Sequence, residues 1–287
     1  MKYFLTIFLV VISTSSLSKE DIKIETTLRG QPDTLNAIFH ETDKNNAAVI
    51  LVHSGGGWTD NTTGPLAKEL NDEGISTLEL KFYSSSFEGR ESRKRTDFIA
   101  HQAFDALNYL ISEKGLNPKR VGIAGFSMGA HMAIFTSSEK LSKENGGGNQ
   151  FSAHAAMYPS CWLMSFIVKG EKSVPGIRLG LQLDSDILQI LTGAPIKIYG
   201  AGNDDYDDRD PNACPQMVSE FNEKYRSNIN VTVYPNATHG WNQKSKEFFV
   251  PFGCKGKGCK NRMLYNPNIT KKNTLDVVNF FKTTLTK

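Results

Sequence analysis

Val121-Gly122-Ile123-Ala124-Gly125-Phe126-Ser127-Met128-Gly129-Ala130 is the stretch on which the reading of this chain turns. A short apolar run entering Gly-x-Ser-x-Gly reads as a buried parallel strand. His131-Met132-Ala133-Ile134-Phe135, free of Gly and Pro, continues as a helix. A strand, a sharp turn and a helix place the serine on a strained corner. The flanking glycines permit close backbone approach, and the hydroxyl is lifted above the sheet edge. Ser127 is therefore the candidate nucleophile.

Outward from this strand the chain alternates strands and helices. Residues 22–28 and 35–40 alternate as two early strands around a turn at Gly30-Gln31-Pro32-Asp33. Residues 47–52 are wholly apolar, as a central parallel strand requires. Helices are expected over 65–73 and 97–113, with a strand over 75–80 between them. The three consecutive glycines in 141–150 predict a mobile loop. Further strands are read at 151–158, 194–199 and 229–234, the last of the sheet, with helices at 214–225 and 275–285. This pattern predicts an α/β fold with a doubly wound, mostly parallel sheet and helices on both faces. Residues 163–193 fit neither period and are read as a cap or insertion near the site.

The chain has 287 residues, 39% apolar and 22% charged, with a formal charge of +3, enough for one large domain over residues 19–287. The basic residues are scattered apart from Arg90-Glu91-Ser92-Arg93-Lys94-Arg95, read as a solvated loop, so no nucleic-acid partner is expected. Lys2, an apolar run over 3–12 and small residues over 13–18 have the layout of a secretory signal peptide cleaved after Ser18. That run is too short for the roughly 20 residues that span a bilayer, so no stable membrane insertion is expected. The reading is a periplasmic or secreted protein. Glycosylation sequons stand at Asn61, Asn230, Asn236 and Asn268. A glycan on Asn236 would crowd His239, which favours a non-glycosylating host.

Export permits disulfides among Cys161, Cys214, Cys254 and Cys259. Cys254-Lys-Gly-Lys-Gly-Cys259 can close on itself, leaving Cys161 and Cys214 as the other pair. Zinc is the competing reading, but one C-x4-C without neighbouring histidines is poor ligand spacing, and no metal site is assigned.

A serine hydroxyl needs a general base, and the base needs an orienting acid. His239 lies in a loop just past the last strand and is the candidate base. His40, His101, His131 and His154 are assigned packing or surface roles, with His131 expected to point away from the elbow's tip. The acid should follow strand 194–199, where Gly200-Ala201-Gly202-Asn203-Asp204-Asp205-Tyr206-Asp207-Asp208-Arg209-Asp210 offers Asp204 or Asp205. Asp207, Asp208 and Asp210 are expected to be solvated, with calcium binding a minor alternative. Oxyanion donors would be the backbone N–H of Met128 and of Ser54 or Gly55, in His53-Ser54-Gly55-Gly56-Gly57, with His53 shaping that loop. Trp58, Trp162 and Trp241 all fall on loops at the same edge and are candidate substrate contacts. The chemistry calls for no cofactor.

With these residues assigned, the order Ser127, Asp204 or Asp205, His239 is the α/β-hydrolase order. The chain resembles, more narrowly, the dienelactone hydrolase family. Val49–Trp58, Val121–Ala130, Met157-Tyr158-Pro159-Ser160-Cys161, Gly200–Cys214, Val233–Trp241 and Tyr265-Asn266-Pro267 carry the resemblance. It implies hydrolysis of a small-molecule ester or lactone. The family's namesakes carry cysteine where Ser127 stands, so dienelactone turnover itself is not implied. Where an acid commonly ends the strand before the polar loop, this chain has Lys81, with Glu79 earlier. A peptidase or acyltransferase would use the same triad, and a silent binding scaffold is the reading from another class.

Overall fold

A computed structural model describes residues 18–28, 31–42, 45–58, 60–82, 96–171, 174 and 185–287. Residues 1–17 of the expected signal peptide, the basic cluster at 90–95 and part of the expected cap (172–173 and 175–184) lie outside the described residues.

In chain order the elements are β1 (Ser18–Leu28), β2 (Gln31–Glu41), β3 (Ala48–Val52), α1 (Asp60–Asp72), β4 (Ser76–Lys81) and α2 (Thr96–Ser112). A 3-10 turn at Pro118–Arg120 leads to β5 (Val121–Phe126), α3 (Met128–Phe135), α4 (Glu139–Asn145), β6 (Ala153–Met157) and α5 (Cys161–Val168). There follow β7 (Ile196–Ala201), α6 (Ala213–Ser219), α7 (Glu223–Arg226), β8 (Ile229–Tyr234), β9 (Lys246–Val250), α8 (Gly253–Gly256), β10 (Cys259–Met263) and α9 (Pro267–Leu285).

Eight strands form one sheet in the order β1-β2-β4-β3-β5-β6-β7-β8, antiparallel at β1–β2 and β2–β4 and parallel from β4 to β8. The central parallel strands β3, β5 and β6 are buried on both faces, which is why β3 and β5 read as continuous apolar runs. On β3, Ala48, Ile50 and Val52 join one core with α2 and α3, while Val49 and Leu51 join a second core with α1 and α9. The fold is that of the α/β-hydrolases. Strand order reverses beside β3, so the carboxyl ends of β3 and β5 border the crevice where doubly wound sheets place their ligands.

Several elements differ from the sequence reading. Residues 141–150 are not a mobile loop throughout: they begin inside α4, whose N-terminus is capped by Ser138 Oγ accepting the Leu141 N–H at 3.3 Å, and the glycines supply its stop. α1 begins at Asp60 and carries Pro65 inside it, so the proline costs one backbone donor rather than marking the start. The helix expected over 214–225 is two short helices, because Asn222 takes the Lys224 N–H and starts a new turn. α9 starts at Pro267, eight residues before the expected 275, since Asn266 Oδ1 caps the Ile269 N–H at 3.1 Å. Most consequential, β8 is not the last strand. β9 and β10 form a separate antiparallel hairpin, invisible to pattern reading because four of the five β9 residues are exposed.

Candidate active site

The elbow explains its own glycines. A Cβ on Gly125 would stand 1.9 Å from the Gly129 carbonyl oxygen, and one on Gly129 would stand 2.3 Å from the Val52 oxygen. Neither position admits a side chain. Between them Ser127 adopts φ 54 and ψ −111, a conformation an L-residue holds only under constraint. Its N–H is tied to the Met157 carbonyl, and its own carbonyl accepts Ala130 and His131 N–H groups, so the turn is locked from both sides.

The candidate acid and base follow the adjacent strands β7 and β8 respectively. Gly202 N–H bonds the Tyr234 carbonyl and Asn203 N–H the Ala237 carbonyl, each at 2.9 Å, which sets the two loops side by side. The result is a linear chain of hydrogen bonds. Ser127 Oγ lies 2.7 Å from His239 Nε2, and His239 Nδ1 lies 2.8 Å from Asp204 Oδ2. Asp204 and His239 are both buried. The remaining Asp204 oxygen accepts the Tyr206 N–H at 2.9 Å, which fixes the carboxylate's rotation. The imidazole packs edge-on against Tyr158 and tilted against Tyr206, at centroid distances of 4.9 and 4.4 Å.

Of the two adjacent aspartates, then, Asp204 meets the imidazole and Asp205 does not. The Asp205 side chain points the other way, into Arg209 and Arg262. Burial pushes its pKa up, but the hydrogen bonds from both arginines outweigh that and hold it below the usual carboxylate value.

Asp207 is a correction to the solvated reading. It is buried and accepts the backbone N–H groups of Cys161 and Trp162 at 3.2 and 2.8 Å, so it caps α5. Burial and the neighbouring Asp204 charge drive its pKa well up. Asp208 pairs with Lys257 and Asp210 with Lys255, so protein cations engage these two carboxylates. The three-residue grouping with metal-ligand atoms close together among the described residues, Cys161, Asp207 and Cys214, has both sulfurs in a disulfide. The pairs are Cys161–Cys214 and Cys254–Cys259, as the spacing suggested.

The loop after β3 faces the elbow. A Cβ on Gly55 would lie 3.8 Å from Met128 Cβ, so the Ser54-Gly55 backbone and the residue after Ser127 border one space. His53 shapes this loop: Nδ1 lies 2.7 Å from the Ser54 carbonyl, and Nε2 accepts the Phe82 N–H at 3.2 Å. Burial lowers its pKa to about 4, which keeps the ring neutral and suits one donor and one acceptor nitrogen. His131 does not enter the hydrogen-bonded series. Its Nε2 accepts the Ser160 N–H at 3.2 Å, and burial, with the nearby His239, lowers its pKa to about 4.

A cleft of about 400 Å³ opens over Ser127 and His239. Its walls are Ser54, Gly55, Gly56, Tyr206, Gln243, Lys246, Phe248 and Met263. None of the three expected tryptophans is among these residues. Trp241 is fully buried against Tyr158 and Tyr234 and is core, with its carbonyl accepting the Asn266 N–H at 2.8 Å. Trp162 sits in the first turn of α5 against Phe166. Trp58 donates to buried Glu79, and the Lys81 ammonium lies 4.5 Å from its ring. Glu79 also takes hydrogen bonds from His40 and Thr63; burial raises its pKa, and these bonds outweigh burial to lower it. Sequence reasoning missed Tyr206, Gln243, Lys246, Phe248 and Met263. Only Tyr206, an aromatic within the acid run, carried a local signal.

A profile of the dienelactone hydrolase family matches residues 37–285, and the chain belongs to that family. That family is one of hydrolases. Solved structures share its fold at low identity. An esterase of Pyrococcus furiosus is 17% identical with a TM-score of 0.58, covering 94% of this chain and 93% of that one. A dienelactone hydrolase of Anabaena variabilis is 14% identical with a TM-score of 0.59, covering 93% and 99%. Esterase 2 of Thermogutta terrifontis is 12% identical with a TM-score of 0.62, covering 92% and 94%. Among curated proteins, a multifunctional-autoprocessing repeats-in-toxin of Vibrio vulnificus is 28% identical over 118 residues, 37% of this chain. The match spans 2% of that protein's length. No described helix is long and apolar enough to cross a membrane.

Proposed function

We propose that this chain is an exported hydrolase that cleaves a small-molecule ester or lactone through an acyl-enzyme on Ser127. The observation that carries the reading is the unbroken series Ser127 Oγ, His239 and Asp204, at 2.7 and 2.8 Å. Ser127 Oγ attacks the substrate carbonyl carbon while His239 Nε2 takes its proton. Asp204 holds the tautomer and stabilises the imidazolium. The negative oxygen of the tetrahedral intermediate is received by the N–H of Met128 and that of Ser54 or Gly55. Collapse breaks the bond to the alkoxy group, which leaves with the proton from His239. Water, deprotonated by His239, then attacks the acyl carbon and releases the acid. No step uses a cofactor.

Export rests on the expected signal peptide and the two disulfides. Cleavage after Ser18 would remove only the first residue of β1, whose pairing with β2 starts at Ser18↔Glu41. The mature chain, residues 19–287, is then a single domain with residues 163–193 as its cap or insertion.

A fluorophosphonate probe tests the mechanism. The Thermogutta terrifontis esterase 2 is described as phosphorylated by paraoxon, and the same class of reagent should modify Ser127 here. Peptide mapping that finds the label on Ser127, and loses it in His239→Ala, supports the reading. An unmodified Ser127 in folded protein overturns it.

A further inference from the structure

The β9–β10 hairpin supplies Lys246, Phe248 and Met263 to the cleft, yet its two strands pair only with each other and share no ladder with the main sheet among the described residues. A wall without sheet bonds needs another anchor. That anchor is the loop carrying the acid. Asp205 holds the hairpin at two points: its carbonyl accepts the Cys254 N–H at 2.7 Å near the tip, and its carboxylate accepts the Arg262 N–H at 2.9 Å on β10. Arg262 Nε, at 3.2 Å, and Arg209 Nε, at 2.7 Å, complete the carboxylate's shell. The outer pairs Lys255–Asp210 and Lys257–Asp208 are more exposed and hold less. The Asp205 side chain is 0% exposed, so its charge is desolvated and its geometry constrained.

We propose that Asp205 is a positioning residue that fixes the β9–β10 hairpin as the substrate wall and thereby sets which ester sizes the cleft accepts. Two consecutive aspartates then divide the labour: Asp204 orients the base, and Asp205 orients the wall. Met263 packs against the loop carrying His239: a Cβ built on Gly240 would stand 2.0 Å from its Cε. This inference rests on the ester-hydrolase reading above.

The test is Asp205→Asn, assayed on a panel of p-nitrophenyl esters of increasing acyl length, with hydrogen exchange of residues 246–263 as a readout independent of turnover. The ratio of kcat/KM for long against short esters is expected to change by about tenfold, the size of a one- or two-methylene pocket effect, carried by KM. Exchange over 246–263 should rise by about tenfold while β5 stays protected. If Asp205→Asn does not fold, Arg262→Gln, which spares the carboxylate and its Arg209 partner, carries the same two readouts, and Arg262→Lys should restore part of the selectivity. A folded variant with unchanged selectivity overturns the proposal, whether or not its hairpin exchanges faster; so does unchanged exchange. If wild-type protein turns over no ester and takes no fluorophosphonate label, the serine-hydrolase reading has failed, and unchanged exchange in the variant would separately refute the anchoring.

Discussion

The two sides of the cleft are built on different principles. On one side, Ser127, Ser54 and Gly55 stand at the ends of β5 and β3, two fully buried strands of the eight-stranded sheet. On the other, Lys246, Phe248 and Met263 stand on a two-stranded hairpin with exposed aromatics, Phe249 being 68% exposed. The first side is held by ladder bonds and steric exclusion, the second by an ion-paired aspartate and a small disulfide. The Ser127 side is thus fixed by the sheet and the hairpin side by anchors of its own.

The largest expected effect breaks the reacting side. Ser127→Ala should lower ester turnover by about a millionfold, because nucleophile and base act as a unit, while leaving circular dichroism unchanged. Appreciable turnover by the variant would contradict the assignment.

The disulfides sharpen the contrast next. Cys161–Cys214 closes a separation of 53 residues and Cys254–Cys259 one of 5. Loop-closure entropy gives about 4 kcal/mol for the first and about 2 kcal/mol for the second. Paired Cys→Ser variants measured by urea unfolding should show that order, and equal losses would argue against the entropic account.

Acid should attack the sheet side in particular. His53 and His154, both fully buried, have pKa values lowered to about 4 by burial. In the unfolded chain each is near 6.5, so below that pH the unfolded state binds the proton preferentially. Stability is complete above about 6.5 and falls as pH drops toward 4, by up to about 3 kcal/mol per histidine. Urea midpoints measured between pH 7 and 4.5 check this, and a flat profile would refute it. The smallest effect belongs to the hairpin's outer face: Phe249→Ser should change stability by less than about 0.5 kcal/mol, read from the same titration.

How much of this was legible follows from how local each feature is. The elbow could be read because its two glycines and serine fall within a single five-residue turn between an apolar run and a helix. β3 and β5 could be read because double burial makes them uniformly apolar. Asp204 could not be separated from Asp205, since adjacent residues in one loop differ only in which way the carboxylate points. Asp207 looked solvated in an acidic run and is a buried helix cap. Trp241 looked like a cleft residue and is core, its loop being anchored by Asn266 N–H on its carbonyl.

By itself the sequence pointed to the strand-turn-helix at Ser127, the doubly wound alternation around it, the chain order of Ser127, the acidic run and His239, and the cysteine pairing. Each of these depends on short-range sterics, hydrophobic period or spacing along the chain. Only the tertiary structure decided which aspartate meets His239, where the tryptophans go, and that a hairpin beyond the last sheet strand walls the cleft. Those depend on contacts between residues tens of positions apart, as between Asp205 and Arg262, and no local pattern encodes the direction in which a side chain will find its partner.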